Sequence, residues 1–157
     1  MKIEVARIKK LLERNWTGPM WHGGTLMEIL KDISWEQAFA KPQNASHNIY
    51  EYVQHMNTWR RFTIEQLNGN SNYSININSH EDWPTVYDAS AQSWQKALND
   101  LEANQNALVS GIDNLNDEKL DELVPGRKFK WYALLHGIIH HDVYHSAQIS
   151  LLKKLNA

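Results

Sequence analysis

The chain has 157 residues, a net charge of −2, 42% hydrophobic and 22% charged residues, values that predict a single globular domain over residues 1–157 and give no electrostatic basis for binding nucleic acid or an anionic membrane. There is no cysteine, which excludes disulfides, a cysteine nucleophile and thiolate metal sites, so any metal ion must be held by His, Asp or Glu. No apolar run is long enough to span a membrane and the N-terminus lacks an apolar signal segment, so we expect a cytoplasmic protein.

The first third of the chain predicts one long helix followed by two short ones. Apolar residues recur at helical spacing in residues 1–14. Residues 15–24 are rich in turn-forming and aromatic residues, and we predict that Trp21 in this segment lines a pocket. A Thr or Ser three residues before a Glu or Gln, the capping-box pattern, predicts short helices at 25–30 and 34–40.

The middle of the chain predicts two further long helices. The apolar face of residues 46–68 has His55 at its inner edge, which makes His55 a candidate metal ligand. Residues 69–83 are polar, lack periodicity and predict a loop. Asp82 is expected to cap the third long helix, in which apolar residues follow a heptad spacing from Tyr87 onward.

The last long helix, predicted for residues 131–155, carries four histidines within ten residues. At about 100° per residue, His141 and His145 lie in the middle of its apolar face, Gln148 continues their row, and Asp142 lies on the polar face. Neutral imidazole needs one donor and one acceptor partner away from water, and two protonated imidazoles repel each other. A divalent cation resolves both difficulties, whereas the alternative is a pair of core histidines bonded to ordinary polar partners.

Four long amphipathic helices predict an all-α four-helix bundle. Its first connection is long and carries the two short helices, which leaves room for a crossover.

Three motifs occur together: an inward His on the second long helix, HxxxH on the fourth, and a Gln three residues further on. With the segments HNIYEYVQHMNTWRRF, HHDVYHSAQI and WHGGTLMEIL…SWEQAFAKP, they resemble the DinB-like family, also called DinB/YfiT-like metalloenzymes. The resemblance covers most of the chain. It implies a four-helix bundle with a nickel or zinc site formed by His55, His141 and His145, often in a homodimer. It also implies thiol chemistry, because the better-characterised relatives are S-transferases and isomerases that use bacillithiol or mycothiol.

Three neutral imidazoles leave at least one coordination position open, which is typical of catalytic metal sites. A thiol transferase acting on a small-molecule substrate is our first hypothesis, because a chain without cysteine must take its thiolate from a low-molecular-weight thiol. A metal hydrolase and a non-catalytic metal- or ligand-binding bundle are the alternatives, and no carboxylate is predicted to face the histidines as a general base. We expect the site to be completed by side chains that orient the histidines or line the pocket: Gln148, Tyr144, Asn48, Trp59 and Trp21.

Overall fold

The computed structural model describes residues 2–156, and within that range the chain forms seven helices and no strand. The helices in chain order are α1 (Ile3–Thr17), α2 (Leu26–Leu30), α3 (Trp35–Phe39), α4 (Ile49–Leu67), α5 (Ala91–Ile112), α6 (Asp117–Leu120) and α7 (Trp131–Leu155). The predicted all-α class is therefore confirmed, with α1, α4, α5 and α7 as the four long helices. None of the described helices is both long and apolar enough to cross a lipid bilayer.

Capping boxes begin both short helices of the first connection, as the sequence predicted. The same device begins α4: Asn48 Oδ1 accepts from the Glu51 N–H at 2.8 Å, and Glu51 Oε2 accepts from the Asn48 N–H at 2.7 Å. The Asn48 amide nitrogen donates to the carbonyl oxygen of Phe39. We had expected Asn48 to orient the histidines or line the pocket. Among the described residues its side chain bonds instead to Glu51 and Phe39, and it fixes the start of α4.

The third long helix begins later than predicted. Ser90 caps α5 by accepting a backbone N–H from the first helical turn, and residues 84–89 are not helical. Tyr87, the first residue of the predicted heptad seam, is 93% exposed, whereas from Trp94 onward the seam is buried except at the half-buried Leu98. The predicted cap was wrong because the Asp82 carboxylate accepts hydrogen bonds from Trp59 and the Asn78 N–H instead.

The α4–α5 connection, residues 68–90, joins two parallel helices. Helices α4 and α5 are parallel. Asn57 donates to the carbonyl oxygen of Ala97, both in the first half of their helices, and Leu67 contacts Gly111, both near the C-terminal ends. Two parallel neighbours in sequence must be joined by a segment that returns over their length. The long return is thus made here, where the sequence indicated only a polar loop.

Helix α7 is buried over a wider face than the helical projection indicated. Asp142, which we predicted on its polar face, is buried, and so is Ser146 on the next turn. The Asp142 carboxylate accepts two hydrogen bonds from the Arg60 guanidinium on α4. A projection assigns charged residues to the solvent face, so an ion pair inside the core is invisible to it.

Candidate metal centre

Three histidines from two helices meet at one point in the structure. His55 projects from α4, and His141 and His145 lie one turn apart on α7. The Nε2 atom of His141 is 2.9 Å from Nε2 of His55 and 3.1 Å from Nε2 of His145. One ring nitrogen from each residue lies within 4.8 Å of the others, a spacing that suits a metal ion.

Asp82, from the α4–α5 connection, fixes the orientation of the His55 ring. Nδ1 of His55 lies 2.9 Å from Asp82 Oδ1 and 2.9 Å from the Asp82 carbonyl oxygen. Asp82 Oδ1 also accepts from Trp59 Nε1 at 2.9 Å, and Oδ2 accepts from the Asn78 N–H at 2.8 Å. These acceptors place the His55 proton on Nδ1 and leave the Nε2 lone pair facing the other histidines. A carboxylate thus contacts one of the three histidines, at the ring nitrogen turned away from the other two, and the sequence analysis did not predict this contact.

Gln148 plays the corresponding part for His145. Nδ1 of His145 donates to Gln148 Oε1 at 2.6 Å, which again leaves the Nε2 lone pair directed at the centre. The two residues are three positions apart on α7 and lie on the same face.

All three imidazoles are held in the neutral state. Burial lowers the pKa of His141 to about 2, with smaller contributions from the neighbouring histidines and Arg60. Burial likewise lowers the pKa of His145 to about 4 and lowers the pKa of His55. Neutral imidazole is the form that binds a metal ion.

The donor set fits a divalent cation. The His55 and His145 rings both present a lone pair at Nε2. Without a metal ion, two hydrogen-bond acceptors therefore face each other with no proton between them. Two nitrogens bound to one ion at about 2.1 Å are about 3.0–3.4 Å apart for bond angles between 90° and 109°. The observed distances of 2.9 and 3.1 Å lie close to this range. Three imidazoles without thiolate suit zinc, nickel or copper rather than magnesium or calcium.

The model of the DinB superfamily matches residues 21–149, a span that contains all three histidines. The chain belongs to the DinB superfamily. The family resemblance drawn from the sequence motifs is therefore confirmed. No curated protein and no solved structure matches the chain at a significant level.

Two aromatic residues that the sequence analysis did not single out form one wall of the centre in this DinB-superfamily chain. The Trp83 ring stacks on His55 with centroids 3.9 Å apart, and His47 stacks on its opposite face at 3.5 Å. The only sequence signal for this wall was an Asp–Trp pair, residues 82–83, at the end of a polar segment. His47 lies before α4 begins, so a helical projection cannot indicate where its side chain points.

The remaining predicted residues occupy different places. The Trp59 ring lies 6.1 Å from the His141 ring. Tyr144 is 63% exposed, with its ring 5.0 Å from that of His145. Trp21 is 91% exposed, and the prediction that it lines the pocket was wrong because its turn-rich segment holds it at the surface.

An apolar cavity of about 470 Å³ lies beside His141. Its walls come from α4, the α4–α5 connection, the segment before α7, and the first half of α7. Gly137, one turn before His141, lines the cavity, and a Cβ atom at this position would meet no heavy atom within 4 Å. Among the described residues that line the cavity, Arg127 is the only one with a permanent charge. The candidate metal centre therefore borders a space large enough for a small organic molecule.

Proposed function

We propose that the chain is a metal-dependent transferase that joins a low-molecular-weight thiol to an electrophilic small molecule. The observation that supports this most is the apolar cavity that opens directly onto His141, one of three neutral histidines suited to a metal ion. When bound there, a divalent ion lowers the pKa of a thiol or a water molecule and so supplies a nucleophile at neutral pH. The chain has no cysteine of its own to serve as the thiol.

The protein's own residues position the reactants. Asp82 and Gln148 hold the His55 and His145 rings with Nε2 inward, which keeps the donor set in place before a ligand arrives. Trp83 stacks on His55 and shields it from water on that side. The cavity then holds the second reactant next to His141, so that both substrates meet without a search in solution.

Many metal hydrolases also use a protein side chain as general base to take a proton from water, and the geometry makes Asp82 unsuitable for this role. Asp82 is the one described carboxylate that hydrogen-bonds to any of the three histidines, and both its oxygens are engaged. Oδ1 contacts His55 and Trp59, and Oδ2 accepts from the Asn78 N–H. A carboxylate so engaged is a poor general base, so hydrolysis at this site would depend on the metal ion alone to activate water.

The test uses purified full-length protein loaded with zinc or nickel, a panel of small thiols, and the electrophile monochlorobimane. We expect conjugation faster than the uncatalysed reaction, lost in His141→Ala and kept in His140→Ala, a matched exposed histidine on the same helix. Metal analysis of the same preparations accompanies the rates. Ester hydrolysis without added thiol would favour the hydrolase, and absence of turnover with every thiol would favour a binding role.

A further inference from the structure

Arg127, in the wall of the cavity, is a cation without an anionic partner. Its Nε donates to Gln66 Oε1 at 3.4 Å, and its Nη2 donates to the carbonyl oxygens of Ser71, at 3.4 Å, and Tyr73. Across residues 2–156 no carboxylate forms an ion pair with Arg127, and no hydrogen bond from Nη1 is present. Its charge is thus met only by neutral dipoles on one side of the guanidinium.

The guanidinium is also held in a defined orientation. Its central carbon lies 5.1 Å from the centroid of the Phe62 ring, a cation–π contact with another residue of the cavity wall. The carbonyl contacts and the ring together restrict a side chain that would otherwise have many rotamers. An arginine fixed in this way is prepared to bind a planar anion at low entropic cost.

The remainder of the wall is almost entirely apolar. Ile75 and Ile77 come from the α4–α5 connection, Phe129 from the segment before α7, and Leu134 and Ile138 from α7 itself. An apolar surface favours an apolar ligand, whereas a cation beside it favours a compensating negative charge.

We propose that the cavity binds an apolar monocarboxylic acid, with its carboxylate on Arg127 and its apolar body extending towards His141. This inference rests on the proposed function and names its electrophilic substrate as an acid of this class that carries its electrophilic carbon in the apolar body. One guanidinium balances one negative charge, so a phosphate dianion would leave a surplus charge among apolar side chains. The carboxylate end would then fix which part of the molecule reaches the metal centre.

The test measures binding of matched acid and amide pairs by isothermal titration calorimetry: 4-phenylbutyrate against 4-phenylbutyramide, and octanoate against octanamide. We expect each acid to bind the metal-loaded protein about tenfold or more tightly than its amide, the gain typical of a charge-assisted hydrogen bond. Arg127→Met should remove this preference, and Arg127→Lys should reduce it. Gly137→Leu, which adds a side chain to the cavity wall one turn before His141, should weaken the acid and the amide alike.

A carboxylate could also bind to the metal ion, and His141→Ala separates the two cases. A preference for the acid that survives Arg127→Met but disappears in His141→Ala or on chelation would overturn the proposal. Equal affinity for acid and amide, or no binding of either at millimolar concentration, would overturn it as well. Melting temperatures are recorded for all variants because Arg127 also contacts the loop backbone, and Arg127→Lys with Gly137→Leu decide the question if Arg127→Met does not fold. Arg127-dependent binding without thiol transfer would retain this inference and refute the proposed function.

Discussion

Arg60 on α4 and Asp142 on α7 form a bidentate ion pair inside the protein, with Nη1 2.9 Å from Oδ1 and Nη2 2.7 Å from Oδ2. Asp142 follows His141 in sequence, and Arg60 lies five residues after His55. The pair therefore joins the two helices that supply the histidines. Burial raises the pKa of Asp142 to about 6, although Arg60 acts in the opposite direction, and burial lowers the pKa of Arg60. Neither charge would be tolerated at this place without the other.

Replacing Asp142 with Asn should destabilise the protein by about 3–5 kcal/mol, because the charge of Arg60 stays buried without its partner. The double variant Arg60→Met/Asp142→Leu should cost less than Asp142→Asn alone, since it removes both charges. Urea unfolding of the metal-free protein measures both values. Arg61→Met, at the exposed neighbouring position, is the control. An Asp142→Asn variant as stable as this control would show that the pair does not hold the helices together.

The residues behind the histidines should govern metal affinity. Asp82→Asn and Gln148→Ala should each weaken zinc or nickel binding about 10–100-fold, because the His55 and His145 rings lose the acceptors that orient them. Titration against a competing chelator measures the constants. Asp88→Asn is the matched control, since Asp88 lies in the same connection and accepts hydrogen bonds from Ser90 and Ser93. Affinities equal to that of the control would contradict this role for Asp82 and Gln148.

Helical periodicity was enough to predict the four long helices and to place His55, His141 and His145 on inward faces, whereas their grouping into one metal site was implied by the resemblance to the DinB-like family. The first two features depend on spacing along a single helix and on apolar faces, which sequence records directly. Asp82 and Trp83 could not be placed in the same way, because a segment without periodicity has no face to project. The burial of Asp142 was not predicted for another reason: it depends on Arg60, a residue 82 positions away. An ion pair between residues far apart in the chain produces no periodic pattern in a single sequence.

The free energy of unfolding of the metal-free protein should decrease as the pH is lowered below about 6.5. His145, with its pKa lowered to about 4, and His141, with its pKa lowered to about 2, take up protons in the unfolded chain first. Proton binding to the unfolded state therefore removes stability progressively from pH 6.5 down through these values, and above pH 6.5 the effect is absent. Unfolding free energies at pH 7.5, 5.5 and 4.5 test this. The double variant His141→Ala/His145→Ala should show a shallower dependence, and an identical slope would refute the assignment.

Gly137→Ala should stabilise the protein by about 0.4–1 kcal/mol, because alanine suits a helix better than glycine and its Cβ meets no neighbour. The same methyl group enters the cavity and should weaken binding of bulky ligands. Gly111→Ala on α5 provides the contrast, since a Cβ there would lie 3.0 Å from Leu67 Cδ1. Thermal unfolding compares the two variants. A lower melting temperature for Gly137→Ala than for wild type would show that the space beside His141 is not open.

The candidate metal ligands and part of the cavity wall come from different kinds of structure, because residues 68–90 form an irregular segment beside the helices. The histidines and the buried ion pair stand on helices, whereas Asp82, Trp83, Ile75 and Ile77 come from this irregular segment. Replacing its apolar residues would change the shape of the cavity, while the three histidines stay fixed on α4 and α7. Directed evolution of new substrate preferences should therefore begin with Ile75 and Ile77 and leave Asp82 unchanged.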